Sequence, residues 1–169
     1  MKKVSLSVAI FMFLAMMFSI PAIAEVKLGQ YVGPAHGTRA FCVATVALDG
    51  DVIVSALIEE FQFMDPEFII AVLPNPQFFT NADENVLGSK RINNEYYSSN
   101  MSEAADATQD LIVSYKAIED FVAGKTITDL ESEIAGKSAE EAVDAVTSCT
   151  LVDTLGYLEA ILNAAKNVR

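Results

Sequence analysis

Tryptophan is absent from this 169-residue chain, histidine occurs once and cysteine twice, and lysine and arginine together number only 11 against 23 acidic residues. Each shortage removes a class of function. One histidine and two widely separated cysteines, Cys42 and Cys149, give no CxxC or other zinc-ligand spacing, so a protein-built metal site is not expected. The scarcity of basic residues removes the electrostatic footprint that nucleic-acid binding needs. Long apolar runs are also missing after Ala24, so no transmembrane helix is expected in the rest of the chain.

The first 24 residues do carry an apolar run. Lys2 and Lys3 precede Val8–Phe18, and Ala22-Ile23-Ala24 offers a small-x-small cleavage pattern before Glu25. This is the three-part layout of a secretory signal peptide, and the run is shorter than the roughly 20 residues a membrane span requires. The sequence therefore predicts a signal peptide over 1–24 and one exported domain over 25–169, in the periplasm, at the cell surface or secreted. An uncleaved signal would instead act as a membrane anchor. Cleavage removes both early lysines and no acid, so the formal charge becomes 9 − 23 = −14. Such a surface favours solubility and repels anionic lipid and nucleic acid. In an oxidising compartment Cys42 and Cys149 could pair, or each could sit separately as a small buried apolar residue.

The predicted fold class is α+β: a small antiparallel sheet packed against helices, with a helix-rich C-terminal third. Phe41–Leu48 and Val52–Ile58 are rich in β-branched and aromatic residues and flank Asp49-Gly50-Asp51, a hairpin signal. Both strands are apolar on both faces, which predicts a sheet covered on two sides, one of them by helices. From Met64 to about Ser102, prolines and asparagines predict loops with short strands, Ile69–Leu73 being one. Lys90-Arg91 reads there as exposed charge and Tyr96-Tyr97 as packed aromatics. Leu111, Tyr115, Ile118 and Val122 recur at helical spacing and stop at Gly124. Thr128-x-x-Glu131 and Ser138-x-x-Glu141 are capping-box patterns, and Leu151 to Ala165 carries the apolar face of a closing helix with Lys166 and Arg169 at its end.

The segment richest in chemistry is Asp144-Ala-Val-Thr147-Ser148-Cys149-Thr150-Leu151, a polar turn placed just before that helix. Amides at a helix start attract anions, while a threonine in such a turn is by residue type also an ordinary N-cap. The segment resembles the flavinylation motif D-x-x-[ST]-G-A-[ST]-x-[ST] of FMN-binding domains, the family of the C subunit of the sodium-pumping NADH:quinone reductase and the G subunit of the Rnf complex. Gly29-Gln-Tyr31-Val-Gly33, the Asp49-Gly50 hairpin, Gly124-Lys125-Thr126-Ile127 and Gly156-Tyr157 are similar to other parts of that family, whereas the middle of the chain is not.

The resemblance implies an FMN-binding-domain-like fold and an electron carrier rather than a stand-alone enzyme. It also implies FMN joined through its phosphate to Thr150 by a separate flavin transferase, with a redox partner that the sequence does not identify. Asp144, Thr147, Ser148, Cys149 and Leu151 would shape the turn, and His36, Tyr96 or Tyr97 would line the flavin pocket. Three positions depart from the motif. Ser148 stands for Gly, Cys149 for Ala, and Val152 for the last hydroxyl residue. They leave open a ligand-binding or structural module of the same fold that has lost covalent flavin. A third reading, an enzyme with Cys149 as nucleophile and His36 as base, has only residue types behind it.

Overall fold

The computed structural model describes residues 25–75 and 79–168. The predicted signal peptide and Arg169 lie outside the described residues. Four strands form one antiparallel sheet in the order β1-β2-β3-β4: β1 Val26–Gly33, β2 Ala40–Asp49, β3 Val52–Met64 and β4 Val86–Ser89. Among the described residues five helices follow: α1 Asn94–Ala105, α2 Leu111–Val122, α3 Ile127–Ile134, α4 Ala139–Ala145 and α5 Thr154–Lys166. The fold is α+β, with the helices gathered in the C-terminal part. Among the described residues, no helix is long and apolar enough to cross a membrane.

The β2–β3 hairpin turns at Asp49-Gly50-Asp51, where Gly50 takes a left-handed φ of 63° that costs glycine little. Alternation along β2 sends Cys42, Ala44, Val46 and Leu48 inward. On them lies α5, whose Tyr157, Leu158, Ile161 and Ala165 are almost fully buried, while α2 covers β3 with Tyr115, Ile118 and Val122. Helix α5 crosses β1 so closely that a Cβ on Gly29 would collide with the Ala164 carbonyl.

Several expectations are corrected. Among the described residues, helices cover one face of the sheet. On the other, Leu28, Val32 and Leu57 are 62, 60 and 50% exposed, so no described element provides the second cover that the apolar composition predicts. Ile69–Leu73 is not a strand; it meets β4 through the Ala71–Gly88 bridge, the Val72 amide donating to the Leu87 carbonyl at 2.9 Å and Ile69 packing against Gly88. The middle of the chain instead forms β4 and α1. The α3 cap is Thr126, which accepts from the Asp129 amide at 3.0 Å, not Thr128. Thr126 also bridges Val52, and the neighbouring Ile127 amide donates to the Asp51 carbonyl at 3.0 Å, so the sheet fixes where the helix begins. The Ser138/Glu141 box forms as predicted. Helix α5 starts at Thr154, later than its apolar face suggests. Cys42 and Cys149 are both free and buried.

Candidate functional site

The predicted turn runs from the end of α4 to the start of α5. Asp144, Thr147 and Ser148 face solvent, and Cys149 and Leu151 are buried at 6% exposure. Ser148 has φ 67°, a left-handed conformation that L residues adopt at a cost of about 1–2 kcal/mol. Glycine, which the flavinylation motif carries at this position, takes it freely. The Thr154 hydroxyl donates to the Leu151 carbonyl at 2.5 Å, so the Cys149 thiol, 3.0 Å from the same oxygen, is the donor in that pair. This packs Cys149 as part of the turn, bonded to Thr154, while the single histidine is paired with Asp153. The cysteine-nucleophile reading has no geometry behind it.

Thr150 lies ahead of α5 rather than on its first exposed amides. Its N–H donates weakly to Ser114 Oγ at 3.5 Å, and its own Oγ1 is buried with no hydrogen-bond partner. It lines a small, largely apolar cleft of about 100 Å³ together with His36, Tyr97, Met101, Leu111 and Tyr157. The roof is α1, which has no fully buried residue. His36 stands at the mouth of the cleft with its Nδ1 against Asp153 Oδ2. Thus the fold brings Thr150, Leu151, His36 and Tyr97 together. Asp144, Thr147, Ser148 and Cys149 are not among the residues lining the cleft.

Tyr97 is also a wall of a second, open groove of about 850 Å³, shared with Arg39, Phe41, Phe61, Gln62 and Tyr96. Phe41 stacks on Phe61 with centroids 5.1 Å apart, and Tyr96 stacks on Phe68 at 5.6 Å. Sites for drug-sized ligands measure roughly 300–1,000 Å³. A three-ring chromophore therefore does not fit the Thr150 cleft as folded, whereas the groove next to it has the volume for one.

Beneath Tyr97 lies a buried ionic network that the sequence reading missed. Lys90 and Glu60 are 1% and 0% exposed, with Nζ and Oε2 2.6 Å apart. Glu60 Oε2 also accepts from the Tyr157 hydroxyl at 2.6 Å and the Tyr115 hydroxyl at 3.2 Å, and the Lys90 ammonium sits 4.4 Å from the Tyr97 ring centroid. Burial, reinforced by Glu60 and in Tyr157 also by Tyr115, pushes both tyrosine hydroxyls well above the usual range, so they stay protonated and donate. Burial, with Glu60 and Glu59 adding to it, pushes the Cys42 thiol up to about 12. That thiol is inert at neutral pH. Glu60 was legible in principle, because Ile58, Glu60, Gln62 and Met64 alternate onto the inner face of β3. Nothing local marks Lys90, whose partner is 30 residues away, or Asp153. Among the described residues no cluster of His, Cys, Asp and Glu could hold a metal ion.

Comparison of the chain with family models, with curated proteins and with solved structures returned no match.

Proposed function

We propose that the mature chain is an exported FMN carrier, with the flavin esterified through its phosphate to Thr150 and electrons passed between partners outside the cytoplasm. The observation behind this reading is the Thr150 hydroxyl, buried and unpartnered in the segment that resembles the flavinylation motif. A buried polar group left without a partner costs about 1–3 kcal/mol and calls for an explanation. An ester at this oxygen removes the unsatisfied hydrogen altogether.

FMN, when bound, supplies one- and two-electron chemistry. The chain would provide the anchoring oxygen of Thr150, apolar walls from Met101, Leu111 and Leu151 that exclude water, and aromatic surfaces from Tyr96 and Tyr97. Because Thr150 Oγ1 is sealed, attachment requires α1 to lift from the cleft. A helix with no fully buried residue gives up little apolar burial in doing so.

A second reading is a ligand-binding or structural module of the same fold that has lost covalent flavin. Two observations favour it: the cleft is small, and Val152, 64% exposed, replaces the last hydroxyl of the motif. The two readings part in one experiment. The protein is co-produced with an active flavin transferase and analysed by intact mass and peptide mapping. The carrier reading expects a yellow protein heavier by one FMN minus water, with the adduct on the Thr150 peptide and none in Thr150→Ala. A colourless wild-type protein of unmodified mass assigns the second reading, and a fluorescence titration with free FMN then measures noncovalent binding.

A further inference from the structure

The open groove beside the Thr150 cleft lies where the start of β2 and the end of β3 meet α1 and the loop before β4. Phe41 and Phe61 are direct partners in the β2–β3 ladder, on the face away from α5, and their rings stack. Phe41 keeps 37% exposure with one face so occupied, and Phe63, two residues along β3 on the same side, keeps 38%. They form a flat apolar platform. The other walls are polar. Asn81 folds its loop, its Oδ1 accepting from the Asp83 and Asn85 amides at 3.0 and 2.9 Å while its own amide donates to the Asn85 carbonyl at 3.0 Å. That turn brings Asp83 and Asn85 to the groove, α1 brings Asn100, and the β1–β2 loop, residues 34–39, brings Arg39.

A flat apolar surface bordered by carboxamides discriminates between ligand classes. A purely apolar ligand would cover Asn85 and Asn100 without pairing them, which is unfavourable. An anionic ligand finds one cation in the groove, Arg39, offset by Asp83, on a chain of formal charge −12. A cationic ligand meets Arg39 and, against the Tyr97 ring, the Lys90 ammonium. A neutral sugar suits both halves. The C–H face of a pyranose packs on the negative face of an aromatic ring. Its hydroxyls donate and accept, as a carboxamide does with its two ends. The groove of about 850 Å³ is of the size that takes drug-sized ligands, the class to which a di- or trisaccharide belongs.

We infer that this groove is a carbohydrate site, which takes a short neutral oligosaccharide with one ring on the Phe41–Phe61 platform and hydroxyls on Asn85, Asn100 and Arg39. Binding is noncovalent and reversible. The inference goes beyond the carrier reading and does not rest on it, since none of these five residues lines the Thr150 cleft. A flavin ring laid on Tyr96 and Tyr97 would share the groove with the sugar, and the two ligands would compete.

The test uses the mature protein made without a flavin transferase and titrated with maltotriose, cellotriose and chitotriose in its N-acetylated form, followed by calorimetry and amide chemical shifts. At least one trisaccharide is expected to bind with Kd of about 1 mM or lower. High salt should leave that Kd unchanged, because a neutral ligand is not screened. Phe41→Leu keeps apolar bulk but loses the flat face and should weaken binding about 2–12-fold, whereas Phe41→Tyr should retain it. Asn100→Ala, on the exposed side of α1, removes hydrogen bonds without touching the core and should weaken binding by a similar factor, about 2–12-fold. The inference is overturned if no trisaccharide approaches saturation by about 10 mM, or if Phe41→Leu and Asn100→Ala both bind as wild type does. Sugar binding by a protein that never takes flavin sinks the carrier reading and leaves this site standing. Flavinylation of a protein that binds none of the three sugars does the reverse.

Discussion

Replacing Lys90 by Met tests the buried ionic network most directly. Methionine keeps the length and apolar stem of lysine, so packing changes little while the charge is lost. Glu60 is then left at 0% exposure with Oε2 bonded only to Tyr115 and Tyr157, and Oε1 already has no partner. Breaking a buried pair by removing one member costs about 3–5 kcal/mol, because the survivor remains desolvated. Loss of the ammonium from the Tyr97 ring acts in the same direction, by roughly 0.5–2 kcal/mol. At about 2–4 °C per kcal/mol for a domain of this size, loss of the ion pair alone should lower the melting temperature by roughly 6–20 °C. Equilibrium urea unfolding followed by far-ultraviolet circular dichroism gives the free energy. Tyrosine emission gives an independent probe, since no tryptophan obscures it. In Glu60→Gln/Lys90→Met no charge is stranded, and stability should return to within about 1–2 kcal/mol of wild type. The reasoning is refuted if Lys90→Met lies within about 1 kcal/mol of wild type, or if the double variant is as unstable as the single one.

Three further outcomes are expected. Stability should decline above pH 9, because Cys42, Tyr115 and Tyr157 hold their protons in the fold after the unfolded chain has begun to release its own. Each group then subtracts about 1.4 kcal/mol per pH unit above its ordinary value, 9.0 for the thiol and 10.0 for the phenols, until its folded-state value is reached. Urea midpoints that stay flat from pH 8 to 10.5 would contradict this. Ser148→Gly relieves a left-handed serine and should raise stability by roughly 0.5–1 kcal/mol after the entropy cost of glycine; a lower urea midpoint would count against strain at this turn. Gly156→Ala forces residues 34–39 off α5 and should cost about 1–3 kcal/mol while sharpening the His36 ring signals in proton spectra. An unshifted His36 resonance would show that the loop is held by other means.

The parts of the fold that could be read from the sequence are those whose signal is local. The β2–β3 hairpin is written in a β-branched run and one Asp-Gly, and α2 in four apolar residues at helical spacing. Helix α1 escaped because it has no fully buried residue and so carries no apolar stripe to betray its period. Strand β4 is four residues long, contains Gly88 and is defined by its pairing with β3. The α3 cap was misplaced by two residues because Thr126 and Thr128 both head a hydroxyl-x-x-acid pattern, and only the sheet contact at Val52 decides between them. At the site, the motif points to Thr150; that residue lines the small cleft, with its hydroxyl oxygen sealed from solvent. The partner of His36 was not legible, since Asp153 lies 117 residues further along the chain. Lys90 carries no sign of burial in the sequence, because lysine is almost never buried alone. It is buried in company, and the company comes from β3, α1, α2 and α5.

Tyr97 touches the small cleft, the wide groove and the Lys90 ammonium with one ring. A rotation of that phenol would therefore alter the walls of both spaces and uncover the cation in one movement. A fluorinated tyrosine at this position would register events in all three places as one chemical-shift change.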